Sequence, residues 1–223
     1  MTALQRDLFE LNGDVLLMDT THNKNRFGVP ICAVVGVDGE NNTRLLCQGI
    51  MATEQAASFE YFIKSMQHAC PDTLIRTIFT DADAAATSAI RKLLPNTEHF
   101  RCLWHMAKDV RQFAGRLGVD AQKFVNGFYR CRNSREPHLF WQNWETFSRQ
   151  WKARNDPRVD KYLKHMINDY LRWAGFVQYH AFTLGMSATQ RIEGLFSKLK
   201  TKTKRSTSLS ELRAITEQII DDQ

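Results

Sequence analysis

The stretch from Ile75 to Met106, IRTIFTDADAAATSAIRKLLPNTEHFRCLWHM, constrains the fold more than any other part of the chain. Ile75, Ile78 and Phe79 form a short β-leaning apolar run that stops at Thr80 and Asp81, so an acid is placed where a buried strand emerges. Ala85, Ala89, Ile90 and Leu93 then recur at helical spacing until Pro95, which predicts a helix of about three turns. A second short apolar segment around His99 and Phe100 leads to Cys102 and His105. A strand followed by a helix and another strand is a crossover, and crossovers impose parallel pairing.

Upstream, Asp14 to Asp19 (DVLLMD) reads as a buried strand with an acid at its far end. Val29 to Val37 is a second strand, DGENN a hairpin turn and Arg44 to Met51 a third strand, which together suggest an antiparallel meander. Thr53 is placed to cap a helix with Glu54 in its first turn and with Phe59, Phe62, Ile63 and Met66 on one face; Pro71 closes it. The resulting order, β-β-β-α-β-α-β with acids ending the first and fourth strands, is the RNase H-like arrangement of a mixed five-stranded sheet.

From Met106 to about Tyr179 the β-type pattern gives way to helices. Phe140, Trp144, Phe147 and Trp151 make one apolar stripe, and Leu163, Ile167, Tyr170, Leu171 and Ala174 another. The aromatic stripe reads as core rather than as a base-stacking platform. Asn155, Asp156 and Pro157 mark a turn. In SATQRIEGLFSKLKTKTKR, Ile192, Leu195, Phe196 and Leu199 face inward, Glu193 sits just off that face, and Arg191, Lys198, Lys202 and Arg205 form a basic stripe. Ser208 or Ser210 caps a last amphipathic helix.

Composition bounds the function. The formal charge of +6 is uneven: residues 1–100 carry 8 Lys/Arg against 12 Asp/Glu, and residues 101–223 carry 22 against 12. A basic second half attracts a polyanion such as DNA, or is simply a solvated surface. No run approaches a membrane span and the N-terminus lacks a signal peptide's apolar stretch, so a soluble intracellular protein is expected, with no membrane partner and no small-molecule substrate. Five cysteines without a CxxC pair fit reduced thiols.

Hard divalent cations take carboxylate oxygens, and a pair of them requires at least three convergent acids. Asp19, Asp81 and Glu193 are the candidates, two from the middle of the expected sheet and one from the helix that returns after the helical stretch. Asp83 rivals Asp81, but its place at a helix start is explained by an N-cap.

These residues bear a family likeness. The chain resembles the transposase domain of Mutator-like elements (MULE transposases), a DDE-type group that also gave rise to domesticated plant transcription factors. The likeness lies in DTTHNKNRFGVPI, ATEQAASFEYFIKSM, FTDADAAATSAIRKLLPNTEHFRCLWHM and SATQRIEGLFSKLK, and runs from about Asp14 to Leu212. It implies an α/β RNase H-like fold with an all-α insertion before the last catalytic helix. The corresponding divisions are residues 1–105 (β-rich), 106–185 (helical insertion) and 186–223 (catalytic helix and the helix after it), all within one catalytic domain.

The resemblance further implies that Asp19, Asp81 and Glu193 are catalytic and bind two Mg²⁺ or Mn²⁺ ions, that DNA is the partner, that the protein acts in the nucleus, and that it forms a homo-oligomer within a transposition complex. Cys102 and His105 match the family's CxxH motif, which serves as structural packing beside the site, as a direct DNA or catalytic contact, or as a metal ligand. Two ligands fall short of a structural zinc site. Arg191, Lys198, Lys200, Lys202, Lys204 and Arg205 would hold DNA phosphates, or form a plain solvated face. His22 and Gly194 stand where the family more often has an aromatic and a small polar residue, and neither change removes a ligand. Such transposases also carry zinc-dependent regions before and after this domain, and neither pattern occurs in these residues, so sequence-specific recognition of element ends is not expected.

Overall fold

The computed structural model describes residues 1–21, 25–188, 190–204 and 206–222, without the side chains of Gln190 and Lys200. It begins with a helix that the apolar pattern did not announce, α1 (Ala3–Asn12), whose start is held by a reciprocal capping box between Thr2 and Gln5. Five strands follow the expected order: β1 (Val15–Thr21), β2 (Ile31–Val37), β3 (Thr43–Ile50), β4 (Thr77–Thr80) and β5 (Glu98–Arg101). They form one mixed sheet in the order β3-β2-β1-β4-β5. β2 lies antiparallel to β1 and β3, whereas β4 is parallel to both β1 and β5. The fold is α/β and RNase H-like.

Helix α2 (Ala56–Ala69) carries the chain from β3 to β4 and α3 (Ala84–Leu93) carries it from β4 to β5. Both pack on one face of the sheet, where Leu16, Met18, Cys32, Val34 and Ile78 meet Phe59, Phe62, Ile63, Ala89 and Ile90. The expected start of α2 needs correction. The helix begins at Ala56 with Gln55 as N-cap, so Thr53 and Glu54 precede it. Glu54 is drawn instead toward β1, where its Oε1 accepts a hydrogen bond from Thr20 Oγ1 at 2.5 Å.

The other face is covered by α9 (Gln190–Lys202) and α10 (Leu209–Asp221). Val15, Leu17, Val35, Phe79 and Phe100 pack there against Ile192, Phe196, Leu199, Leu212 and Ile219. Ser208 caps α10 in a capping box with Glu211.

Between β5 and α9 run α4 (Leu103–Arg116), α5 (Ala121–Arg132), α6 (Pro137–Lys152), α7 (Pro157–Asn168), a 3₁₀ turn (Tyr170–Arg172) and α8 (Gly175–His180). They close around their own aromatic core of Phe124, Phe128, Phe140, Trp144, Phe147, Trp151 and Trp173. The α6 stripe is therefore core, as read. The second stripe is broken: α7 ends at Asn168 and the 3₁₀ turn rotates Leu171 to the surface, where it is 57% exposed, while Leu163 and Ala174 stay buried.

Phe124 is fully buried, with ring centroids 5.0 Å from Phe147 and 4.8 Å from Trp151. Phe124→Ala is expected to cost about 3–5 kcal/mol, read as a lower urea midpoint at unchanged slope.

Candidate metal centre

Register places the first two acids. Leu17 pairs with Phe79 in the parallel ladder between β1 and β4. Asp19 and Asp81 each lie two residues further on, so both point to the face occupied by Leu17 and Phe79. That is the α9 face, and α9 brings Glu193 to the same end of the sheet. β1 does not stop at Asp19; it continues to Thr21 as a ladder with β2, where Asp19 pairs with Ala33. Asp19 is thus held inside a strand and is only 8% exposed.

Asp19, Asp81, Glu193, His105, Glu54, Asp83, Thr20 and Thr80 line one cleft of about 230 Å³. His105 comes from the first turn of α4. Its Nε2 lies 4.0 Å from Asp19 Oδ2 and 3.9 Å from Glu193 Oε1. One donor atom each from Asp19, His105 and Glu193 falls within 4.8 Å of the other two. Asp81 shares the cleft but stands outside that tight trio, its Oδ1 accepting the Asp83 N–H at 3.0 Å. Asp83 is the N-cap of α3, with its carboxylate accepting the Ala86 N–H at 2.7 Å, as its position suggested.

Burial, opposed by His105 and the Thr20 N–H, and reinforced by the charges of Asp81 and Glu193, raises the Asp19 pKa to about 6. His105 moves the same way for a different reason. Burial works against its protonation, but the Cys102 thiol and the Asp19 and Asp81 carboxylates outweigh it and raise its pKa. Cys102 itself is the fully buried N-cap of α4, its N–H donated to Thr80 O at 2.6 Å. The CxxH pair therefore ties the start of α4 to the end of β4 and aims His105 at the acids. All five cysteines are buried, and none is joined in a disulfide.

The basic stripe divides. Arg191 spends its guanidinium on the β2–β3 turn, donating to Asn41 O at 3.0 Å, Asn41 Oδ1 at 2.6 Å and Thr43 Oγ1 at 3.2 Å. Lys202 Nζ donates to Gln218 Oε1 at 3.3 Å and lies 3.9 Å from Asp222 Oδ2. Both line, with Lys198, a separate groove of about 540 Å³ between α9, α10 and the β2–β3 edge. Lys198 and Lys204 are exposed; Arg205, His22 and the Lys200 side chain lie outside the described residues. Glu54 is the cleft residue that sequence reasoning missed. Its position near a helix start suggested a first-turn role, and nothing local shows that it faces Thr20.

Residues 15–109 match the family of the MULE transposase domain. Over those residues the chain is similar to MULE transposase domains. Relatives of this chain include Protein FAR-RED IMPAIRED RESPONSE 1 of Arabidopsis thaliana, 28% identical over 87% of this chain and 23% of that protein. Another is Protein FAR1-RELATED SEQUENCE 5 of the same plant, 25% identical over 95% of this chain and 26% of that protein. The chain thus spans about a quarter of the length of these relatives. Among solved structures, the catalytic core domain of BIV integrase matches at a TM-score of 0.30 and 10% identity, covering 55% of this chain and 85% of that one. The fold assignment rests on the strand order above.

Asp19 gives the cleft a pH signature. Its folded pKa of about 6 exceeds the ordinary 3.8, so the stability its protonation contributes is present below about pH 4 and lost by about pH 6. Asp19→Asn is therefore expected to be more stable than the parent at pH 7.5 in EDTA, by at most about 3 kcal/mol, and the gain should vanish near pH 4 in urea titrations.

Proposed function

We propose that this chain is the catalytic core of a DDE-type DNA transposase, acting by metal-dependent DNA cleavage and strand transfer, with residues 1–223 as one catalytic unit and 106–185 as its helical insertion. The observation that supports it best is the meeting of Asp19, Glu193 and His105 in a cleft that Asp81 also lines.

The donor set fits Mg²⁺ or Mn²⁺. Carboxylate oxygens are what hard divalent cations take, and burial first, then the nearby charges of Asp81 and Glu193, make the ionised form of Asp19 costly without a cation beside it. Asp19, Asp81 and Glu193 would hold the ions. When bound, two such ions activate a water or a 3′-hydroxyl and stabilise the leaving oxygen of a phosphodiester.

The protein's own groups do the rest. Asp19 is rigid because a ladder flanks it, and Asp81 is rigid because the Asp83 N–H fixes its carboxylate. His105, whose pKa is raised, stands between Asp19 and Glu193 and when protonated balances part of their charge. Lys198 and Lys204 contribute sequence-independent attraction for DNA phosphates. Nuclear action and assembly of several copies on DNA ends belong to the same reading.

A second reading has its own support. One relative is named for a far-red impaired response and another as a FAR1-related sequence, and neither name mentions transposition. On this reading the fold persists as a non-catalytic DNA-binding or regulatory module. An inert remnant of a decayed element is the third form the same sequence would take.

Nicking and strand transfer on labelled DNA separate these. With Mg²⁺ or Mn²⁺ the chain is expected to cut, and Asp81→Ala or Glu193→Ala to lower the rate about a hundredfold or more. Undiminished cutting by Asp81→Ala would sink the assignment. Metal-independent DNA binding without cutting would favour the regulatory module, and neither binding nor cutting the remnant.

A further inference from the structure

The acid cleft has a rear wall whose polar groups the proposed chemistry leaves unused. His99 stands on β5, next to β4, the strand that leads into Asp81. Its Nε2 lies 2.8 Å from Thr80 Oγ1 and 2.9 Å from Arg172 Nη2. Arg172 closes the 3₁₀ turn of the helical segment. Its Nη1 lies 3.7 Å from Asp169 Oδ2, which Arg101 Nη1 approaches to 3.5 Å. Arg101 and Arg172 each bury an Nε that finds no hydrogen-bond partner among the described residues. Two largely buried guanidinium groups sharing one carboxylate are expensive, and apolar packing alone does not call for them.

Hydrogen-bond chemistry orders the chain of contacts. A guanidinium only donates, and Arg172 Nη2 lies 2.9 Å from His99 Nε2 against 3.5 Å from Nδ1, so Nε2 accepts at the shorter contact and the neutral imidazole keeps its proton on Nδ1. Burial, then the charges of Arg172 and Arg91, lower the His99 pKa to about 3, consistent with a neutral ring. With the Nε2 lone pair engaged, the Thr80 hydroxyl directs its proton to Asp81 O, 2.8 Å away. Thr80 O in turn accepts the Cys102 N–H. The carbonyls on both sides of the Asp81 Cα are therefore held, one by the start of α4 and one by the Thr80 hydroxyl, which the Arg172–His99 contact leaves without an acceptor at Nε2.

We propose that Arg172, acting through His99 and Thr80, is a positioning residue that holds Asp81 in its metal-binding pose. The helical segment thereby becomes part of the active-site scaffold as well as a separately packed body. The proposal rests on the reading of Asp81 as a metal-binding acid. Groups that orient a ligand from behind are worth about 10–100-fold in metal affinity.

The test uses the full chain with two readouts, neither of them catalytic. The His99 tautomer is read from ¹⁵N-coupled NMR without metal, and the Mn²⁺ dissociation constant from the EPR signal of free Mn²⁺. The parent is expected to show the Nδ1–H tautomer. Arg172→Met should lose that preference and bind Mn²⁺ about 10-fold more weakly, and Arg172→Lys, which keeps a donor, should recover both. Thr80→Val leaves the buried charges alone and should weaken Mn²⁺ binding similarly, so it carries the test if Arg172→Met does not fold. An Nε2–H tautomer in the parent, or unchanged Mn²⁺ affinity in folded Arg172→Met or in Thr80→Val, overturns the proposal. Asp81→Asn is the separate control: if it binds Mn²⁺ as well as the parent does, the reading of the metal site fails and this proposal falls with it.

Discussion

The parallel pairing of β1 with β4 is the contact on which the remaining structure depends. Aligning Leu17 with Phe79 puts two acids, each two residues further along its strand, side by side at one end of the sheet. The same alternation decides what surrounds them. Leu17 and Asp19 look toward α9, and Met18 and Thr20 look toward α2. Glu193 therefore arrives beside Asp19 from one layer and Glu54 arrives at Thr20 from the other. The cleft forms where both layers end.

The helical segment bears on this site although its core is separate. Its first helix starts at Cys102, whose N–H is bonded to the last residue of β4, and that bond sets the angle at which His105 enters the cleft. Its 3₁₀ turn reaches back to His99 on β5. A body of five helices thus touches the sheet through polar contacts at the strand ends nearest the acids. The cost of burying arginines there is offset only in part by Asp169.

Much of this was legible in the residues. Apolar runs of strand length, Pro95, Pro71 and the Asp83 cap locate β4, α3 and their neighbours because those signals are local. Asp81 stood out because it ends such a run. Other features were hidden. Helix α1 is short, with Gln5 and Phe9 alone buried in it, and its start depends on a Thr2–Gln5 capping box that is easy to pass over. Leu171 fitted a helical stripe, but the chain tightened into a 3₁₀ turn and exposed it. Arg191 belonged by spacing to a basic face, yet a distant turn at Asn41 claims its guanidinium.

By itself, the sequence determined the strand order, the two crossover helices and the mixed sheet, and it offered three acids as candidates for one site, because hydrophobic period, turn chemistry and strand-end carboxylates are written within a few residues of one another. Tertiary structure alone decided that His105 closes the trio with Asp19 and Glu193, that Glu54 joins the cleft, and that Arg172 stands behind Asp81. Those contacts join residues that only register and layer packing bring together, and no local pattern encodes a meeting between positions so far apart in the chain.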